Sequence, residues 1–222
     1  MSLGPLTLII LALGLAGYLI GRRRAVAQVA GDIRKLHSLP SFYGRITALL
    51  TVVPALFLIA AWLLAEPAFI ETKALSLIAV EELPAGKSAA LVMADVRRVA
   101  DGVSRLQDSG TEIAPLLASP AALKTALNDA GIVLETEPTV STLAAAAALR
   151  DAQATSRLAL SIAALVLAVV GLGFALSRIT PEYRARNATE RFAMWLLIAA
   201  ALVAVLTTVG IVGSLLFETI HF

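Results

Sequence analysis

Four stretches of the chain, Leu3–Gly21, Ile46–Ala65, Leu158–Leu176 and the run that follows Glu190-Arg191-Phe192, are apolar almost without interruption. A helix rises 1.5 Å per residue, so about 20 apolar residues cross the hydrocarbon core of a bilayer. Each stretch has that length, and the pattern predicts four membrane helices. Residues 66–156 have a different rhythm. Val92, Val96, Val99, Val103 and Leu106 recur at steps of four and three, the one-sided seam of a helix that faces water on its other side. Ser88 opens this helix and Gly110 closes it. Ser119 as N-cap, Pro120 in the first turn and Gly131 past the end predict a second helix. A third begins near Pro138 and runs through alanines 144 to 148 into the third span without a breaker, while Ile132-Val133-Leu134 leaves room for a short extended piece. The predicted fold class is an all-α membrane protein with four transmembrane helices and a helical exported domain between the second and third. Its parts are an N-terminal hairpin over 1–65, the helical domain over 66–156 and a C-terminal transmembrane pair over 157–222.

Composition agrees with that class. The chain is 59% hydrophobic and 15% charged, with a mean hydropathy of +0.85, which is more apolar surface than a soluble domain of 222 residues can cover. The net charge of +2 is small, and its placement carries more information than its size. Residues 22 to 45 hold Arg22, Arg23, Arg24, Arg34, Lys35 and Arg45 against one acid, Asp32; residues 178 to 191 hold Arg178, Arg184, Arg186 and Arg191 against Glu182 and Glu190. Both segments are predicted to be cytoplasmic by the positive-inside rule, which places both chain ends and the 66–156 domain outside. A signal peptide carries its positive charges before the apolar run, and here they follow it, so the first span reads as a retained anchor. A topology determinant accounts for the first basic loop, with binding of anionic head groups as its alternative. Without a clustered basic face on a folded domain, no nucleic-acid partner is expected. The absence of cysteine excludes disulfides and thiolate sites and leaves the redox compartment open.

Small residues punctuate the spans. Gly14, Gly17 and Gly21 fall on one face of the first, where they permit close backbone approach by another helix. Ala164, Ala168, Gly171 and Ala175 make a similar stripe on the third span, and Ala200, Ala204, Thr207, Gly210, Gly213 and Ser214 offer a matching face on the fourth, which predicts a hairpin of these two. Pro54 removes the bond to the Leu50 carbonyl, so the second span is expected to kink unless the Thr51 hydroxyl or a neighbouring helix compensates. Trp62 and Glu66-Pro67 mark the outer interface.

Candidate chemistry is sparse. Pro84-Ala85-Gly86-Lys87-Ser88 looks like the end of a phosphate-binding loop, but Glu81 stands where that motif needs glycine, and capping by Ser88 is the better reading. Arg97, Arg98 and Arg105 offer charge to an anion, yet Asp95 and Asp101 are close enough to neutralise them. His37 has no partner at ligand spacing, and Glu218 and His221 read as interface residues. With no paired carboxylates, no nucleophile and base, and no metal cluster in the pattern, no catalytic, cofactor or metal residue is assigned and no enzyme is expected; any substrate-binding residue remains unknown.

The fourth span carries the family signal. Glu190-Arg191-Phe192-Ala193-Met194-Trp195, the leucine, alanine and valine repeats that follow, and Gly210-Ile211-Val212-Gly213-Ser214-Leu215-Leu216-Phe217-Glu218 resemble the first core transmembrane helix of PstC, the permease subunit of the bacterial phosphate ABC transporter. Residues 1–190 resemble the N-terminal extension of long-form members, with Arg178-Ile179-Thr180-Pro181-Glu182-Tyr183-Arg184-Ala185-Arg186-Asn187 as the connector. The resemblance implies a place in the inner membrane, a periplasmic domain over 66–156, and as partners the bilayer, permease-type membrane subunits, a periplasmic phosphate-binding protein and a cytoplasmic ATPase. It implies no cofactor. The motif that docks the ATPase is absent from these residues, so the chain is expected to be a fragment or accessory subunit that does not transport alone. Association is expected through the small-residue faces of the third and fourth spans. The competing class is a membrane sensor or scaffold, disfavoured by cytoplasmic segments that are short and carry no heptad or kinase-like pattern.

Overall fold

A computed structural model describes residues 3–75, 89–117, 119–132 and 138–221. The described chain is helical: α1 Leu3–Gln28, a 3-10 turn at Ile33–Lys35, α2 Pro40–Leu75, α3 Ala89–Asp108, α4 Ala114–Leu117, α5 Pro120–Asp129, α6 Val140–Ser177 and α7 Ala185–His221. Among the described residues no strand occurs. The helices α1, α2, α6 and α7 each contain a segment long and apolar enough to cross a membrane. The chain divides into two compact units, one of Leu58–Ala163 and one of Leu3–Phe57 with Ala164–Phe222. The extended alternative around Ile132 falls mostly on residues 133 and 134, outside the described set.

In the 58–163 unit, the valine seam of α3 is the core. Val92, Val96, Val99, Val103 and Leu106 are all buried, and they close against Leu123 and Leu127 of α5 and Ala145, Ala146 and Leu149 of α6. Alanines on α6 face this core, and α6 continues through Ser177 as one helix, as its lack of breakers predicts. Ser119 caps α5 by accepting from the Ala122 N–H at 3.5 Å, with Pro120 in the first turn. Both α3 and α5 end in paired backbone bonds around a left-handed glycine. Thr111 N–H reaches the Leu106 carbonyl with Gly110 at φ +83°, and Ile132 N–H reaches the Leu127 carbonyl with Gly131 at φ +81°. The turn of helix α4 carries no signal in the seam or caps of its neighbours and was not expected. Ser88, assigned as the cap of α3, lies outside the described residues.

The second unit is held by close backbone contact. Leu6, Ile10, Gly14, Gly17, Gly21 and Ala25 form the buried face of α1. A Cβ at Gly21 would stand 2.5 Å from the Thr47 Oγ1 and 3.1 Å from the Tyr43 carbonyl of α2, and one at Gly14 would overlap Val52. The glycine face is therefore a packing seam, as its spacing predicts. The first basic segment differs from expectation: Arg22, Arg23 and Arg24 are the continuation of α1, because arginine, alanine and glutamine favour helix and no breaker comes before Gly31.

The predicted hairpin of the third and fourth spans is not formed. Ala164, Ala168 and Ala175 are buried, and a Cβ at Gly171 would overlap the Leu50 carbonyl oxygen, so in this unit the small face of α6 closes on α2. No part of the membrane-length apolar window of α7 is buried, and Gly210 and Gly213 have open space around them. The physical reason lies at Pro54. With no N–H there, the Leu50 carbonyl lacks its intrahelical donor, and opposite it stands Gly171, where any side chain would collide with that oxygen. The Thr51 hydroxyl does not compensate, since it donates to the Thr47 carbonyl at 2.8 Å, as Thr47 does to Tyr43. The backbone that lies near the Leu50 carbonyl is that of α6 at Gly171.

Candidate functional site

Where α1 ends and α7 begins, two polar connections are built into one end of the Leu3–Phe57 and Ala164–Phe222 unit. Tyr43, at the start of α2, is fully buried, and its hydroxyl donates to the Tyr183 carbonyl at 2.9 Å and lies 3.3 Å from the Pro181 carbonyl. The Gln28 side-chain amide donates to the Ile179 carbonyl at 2.8 Å, and the His37 N–H to the Pro181 carbonyl at 3.0 Å. The Arg186 N–H reaches Ser38 Oγ at 3.3 Å. Beneath these bonds Ala25, Val29, Leu36, Ile46, Ile179 and Ala185 form an apolar cluster. The residues between α6 and α7 have no helical partners for their carbonyls, and donors from the other connection supply what helix geometry leaves open.

The basic residues sit around this knot. Lys35 pairs with Asp32 at 3.9 Å, and Arg186 with Glu190 at 2.8 Å. Arg45 lies over the Phe42 ring at 5.2 Å and Arg178 over Phe174 at 5.1 Å, so these two long side chains lie along apolar surface. The two basic segments, separate in sequence, share one end of the unit.

The 58–163 unit presents two grooves. One, about 710 Å³, is apolar and runs between α2 and α6, with Trp62, Phe69 and Ala152 among its walls and Glu66 and Asp151 as its charged members. Trp62 Nε1 donates to Ser156 Oγ at 2.8 Å across it. The other is polar and holds three arginines, Arg105, Arg150 and Arg157, together with Asp101, Asp108 and Asp151. Arg150 is held by Ser104 Oγ at 3.2 Å and by Gln107 Oε1. With as many acids as bases along its wall, this groove has no net attraction for an anion.

The residues weighed from the sequence are scattered. Arg98 pairs with Asp95 at 3.8 Å, and Asp101 and Arg105 lie along the polar groove. His37 is exposed and bonded through its backbone N–H, and Glu218 is exposed on α7. The motif at residues 84–88 and the side chain of His221 lie outside the described residues. Among the described residues no cluster of histidine, aspartate and glutamate is placed to hold a metal ion. Sequence reasoning missed Tyr43 and Gln28. Their signal was a hydroxyl and an amide at the ends of apolar helices, a position that in lipid calls for a fixed partner.

Among families of known proteins, the one described as phosphate ATP-binding cassette transporter matches residues 7–173, more than half of the chain, from within α1 to the last turn of α6. The α7 helix lies beyond the matched residues. No curated protein matches the chain, and no solved structure matches it.

Proposed function

This chain belongs to the phosphate ATP-binding cassette transporter family, and on that footing we propose that it is the N-terminal or accessory part of the transporter's inner-membrane permease, not competent for transport by itself. The observation that carries the reading is α7, a helix of membrane length whose apolar window is wholly unburied. Lipid accommodates such a helix, but its small residues, with open space at Gly210 and Gly213, suit the close approach of further permease helices. The resemblance of this helix to a first permease core helix supports the same assignment.

Both basic segments lie in the cytoplasm and residues 66–156 in the periplasm in this reading. It draws support from the bonds of Gln28, Tyr43 and His37, which gather both segments at one end of their unit. The partners are the bilayer, permease-type subunits, a cytoplasmic ATPase and a periplasmic phosphate-binding protein. The role is non-catalytic. None of the four apolar stretches has a basic residue within it, whereas an anion crossing the bilayer centre costs several kcal/mol unless it is shielded and compensated. A periplasm-dependent phosphatase fused after Arg34 should be silent and after Lys87 active, and liposomes holding only this chain should take up phosphate no faster than protein-free ones. Uptake above that background would overturn the reading.

A further inference from the structure

We propose that the end of α1 holds one anionic phospholipid, its phosphate between Arg22 and Arg23 and one acyl chain along the outer face of the helix. A groove of about 540 Å³ is lined by Leu19, Arg22, Arg23, Val26 and Ala27 and closed by the turn at Ala30. These positions recur at three and four residues, so they share a face, and it is not the face of Gly14, Gly17, Gly21 and Ala25 that packs inward. Leu8, Leu11 and Leu15 precede Leu19 at the same steps, and all four are exposed. They form an apolar track that ends at two guanidinium groups. From Leu8 to Arg22 the helix rises roughly 20 Å, enough to line the hydrocarbon of one leaflet, which is about half of 30 Å.

Charge selects the head group. No acid lines the groove, and among the described residues neither the Arg22 nor the Arg23 side chain has an ion pair or hydrogen bond. Asp32, the one acid of this segment, is engaged by Lys35 at 3.9 Å and by the Arg34 N–H at 3.3 Å. A guanidinium presents a planar fork of donors that fits two phosphate oxygens at once. The groove is also fixed in place, because Gln28 at the last position of α1 is tied to the Ile179 carbonyl. A free phosphate would offer the same oxygens but leave the Leu8–Leu19 track and Val26 uncovered. A lipid covers both.

The test is native mass spectrometry of the full chain in detergent, titrated with phosphatidylglycerol or phosphatidylcholine. One phosphatidylglycerol should be retained, with an apparent affinity about tenfold above that of phosphatidylcholine. The double variant Arg22→Gln/Arg23→Gln should bring the two lipids level, while Arg34→Gln/Lys35→Gln, which removes as much charge from the same segment, should leave the difference intact. Ala27→Trp fills the groove and keeps both arginines, so it too should abolish the preference, with circular dichroism confirming an unchanged helix content. Equal retention of the two lipids, a preference that survives Ala27→Trp, or displacement of phosphatidylglycerol by millimolar inorganic phosphate would each overturn the proposal, the last by assigning the site to phosphate itself.

Discussion

Ala164, Ala168, Gly171 and Ala175 on α6 and Ala200, Ala204, Gly210 and Gly213 on α7 are small-residue faces of the same kind, yet the first is closed against α2 and the second is open along its length. The apolar content of the two helices does not separate them, since both have membrane-length windows of equal hydropathy, 2.6. What separates them is the surface opposite. Helix α2 offers α6 a carbonyl that Pro54 has stripped of its donor, and only a glycine backbone comes close enough to meet it. A small-residue stripe permits approach; a polar demand on the facing helix decides which stripe is used. In hydrocarbon an unmet carbonyl costs far more than an unpacked leucine, because lipid tails replace leucine contacts but not hydrogen bonds.

The strongest test of that difference is Gly171→Leu. The new Cβ overlaps the Leu50 carbonyl oxygen, a backbone atom that no rotamer change can move aside. The helices must separate, which exposes the carbonyl and opens the seam. We expect a loss of about 3 kcal/mol, at the upper end of overpacking costs, read as a lowered thermal midpoint of the purified chain in detergent. Restoring the Leu50 donor with Pro54→Ala should make the same substitution less costly, and a double-mutant cycle measures how much of the loss depends on the proline. Additivity of the two changes would sever the link between Pro54 and Gly171.

A smaller effect is expected at the polar end of the same unit. Tyr43→Phe keeps the buried ring and its tilted contact with Tyr183, whose centroid is 6.3 Å away, and removes only the hydroxyl that serves the Tyr183 and Pro181 carbonyls. The cost should be about 1 kcal/mol, the net value of one buried hydrogen bond. Hydrogen exchange should accelerate between residues 179 and 185 and not at the Gly171 seam, which distinguishes a local knot from the packing of the spans.

Legibility in the sequence followed from the contrast between the faces of each helix. The Val92–Leu106 seam, the Ser119 cap and the glycines ending α3 and α5 were readable because a helix with one buried and one polar face must separate apolar from polar positions and must end its backbone bonds in a stated way. The spans themselves were readable by length. Pairing between spans was not, since outward and inward positions are both mostly apolar, with Thr207 and Thr208 exposed and Thr47 and Thr51 buried; the Gly14–Gly21 seam could be recognised as a packing face but not assigned a partner. The knot at Tyr43 and Gln28 joins residues more than a hundred positions apart, and no periodicity encodes it. The sign of the two basic segments did predict that they would share an end.

The smallest effect on the chain itself, and the sharpest on the comparison, is expected from Gly210→Leu with Gly213→Leu. Both sites have open space where a Cβ would be placed, so no contact within the chain is lost or strained. Leucine also favours helix and lipid over glycine, and the thermal midpoint should correspond to a change within about 0.5 kcal/mol. If α7 is a free face for other permease helices, the same substitutions block backbone approach, and co-purification of the chain with permease-type subunits of the phosphate transporter should fall several-fold. Leu11→Ala, on another helix and exposed, serves as the control and should leave that association unchanged. Unaltered co-purification with leucine at both positions would mean that α7 meets only lipid, and its small residues would then be no more than the ordinary composition of a membrane helix.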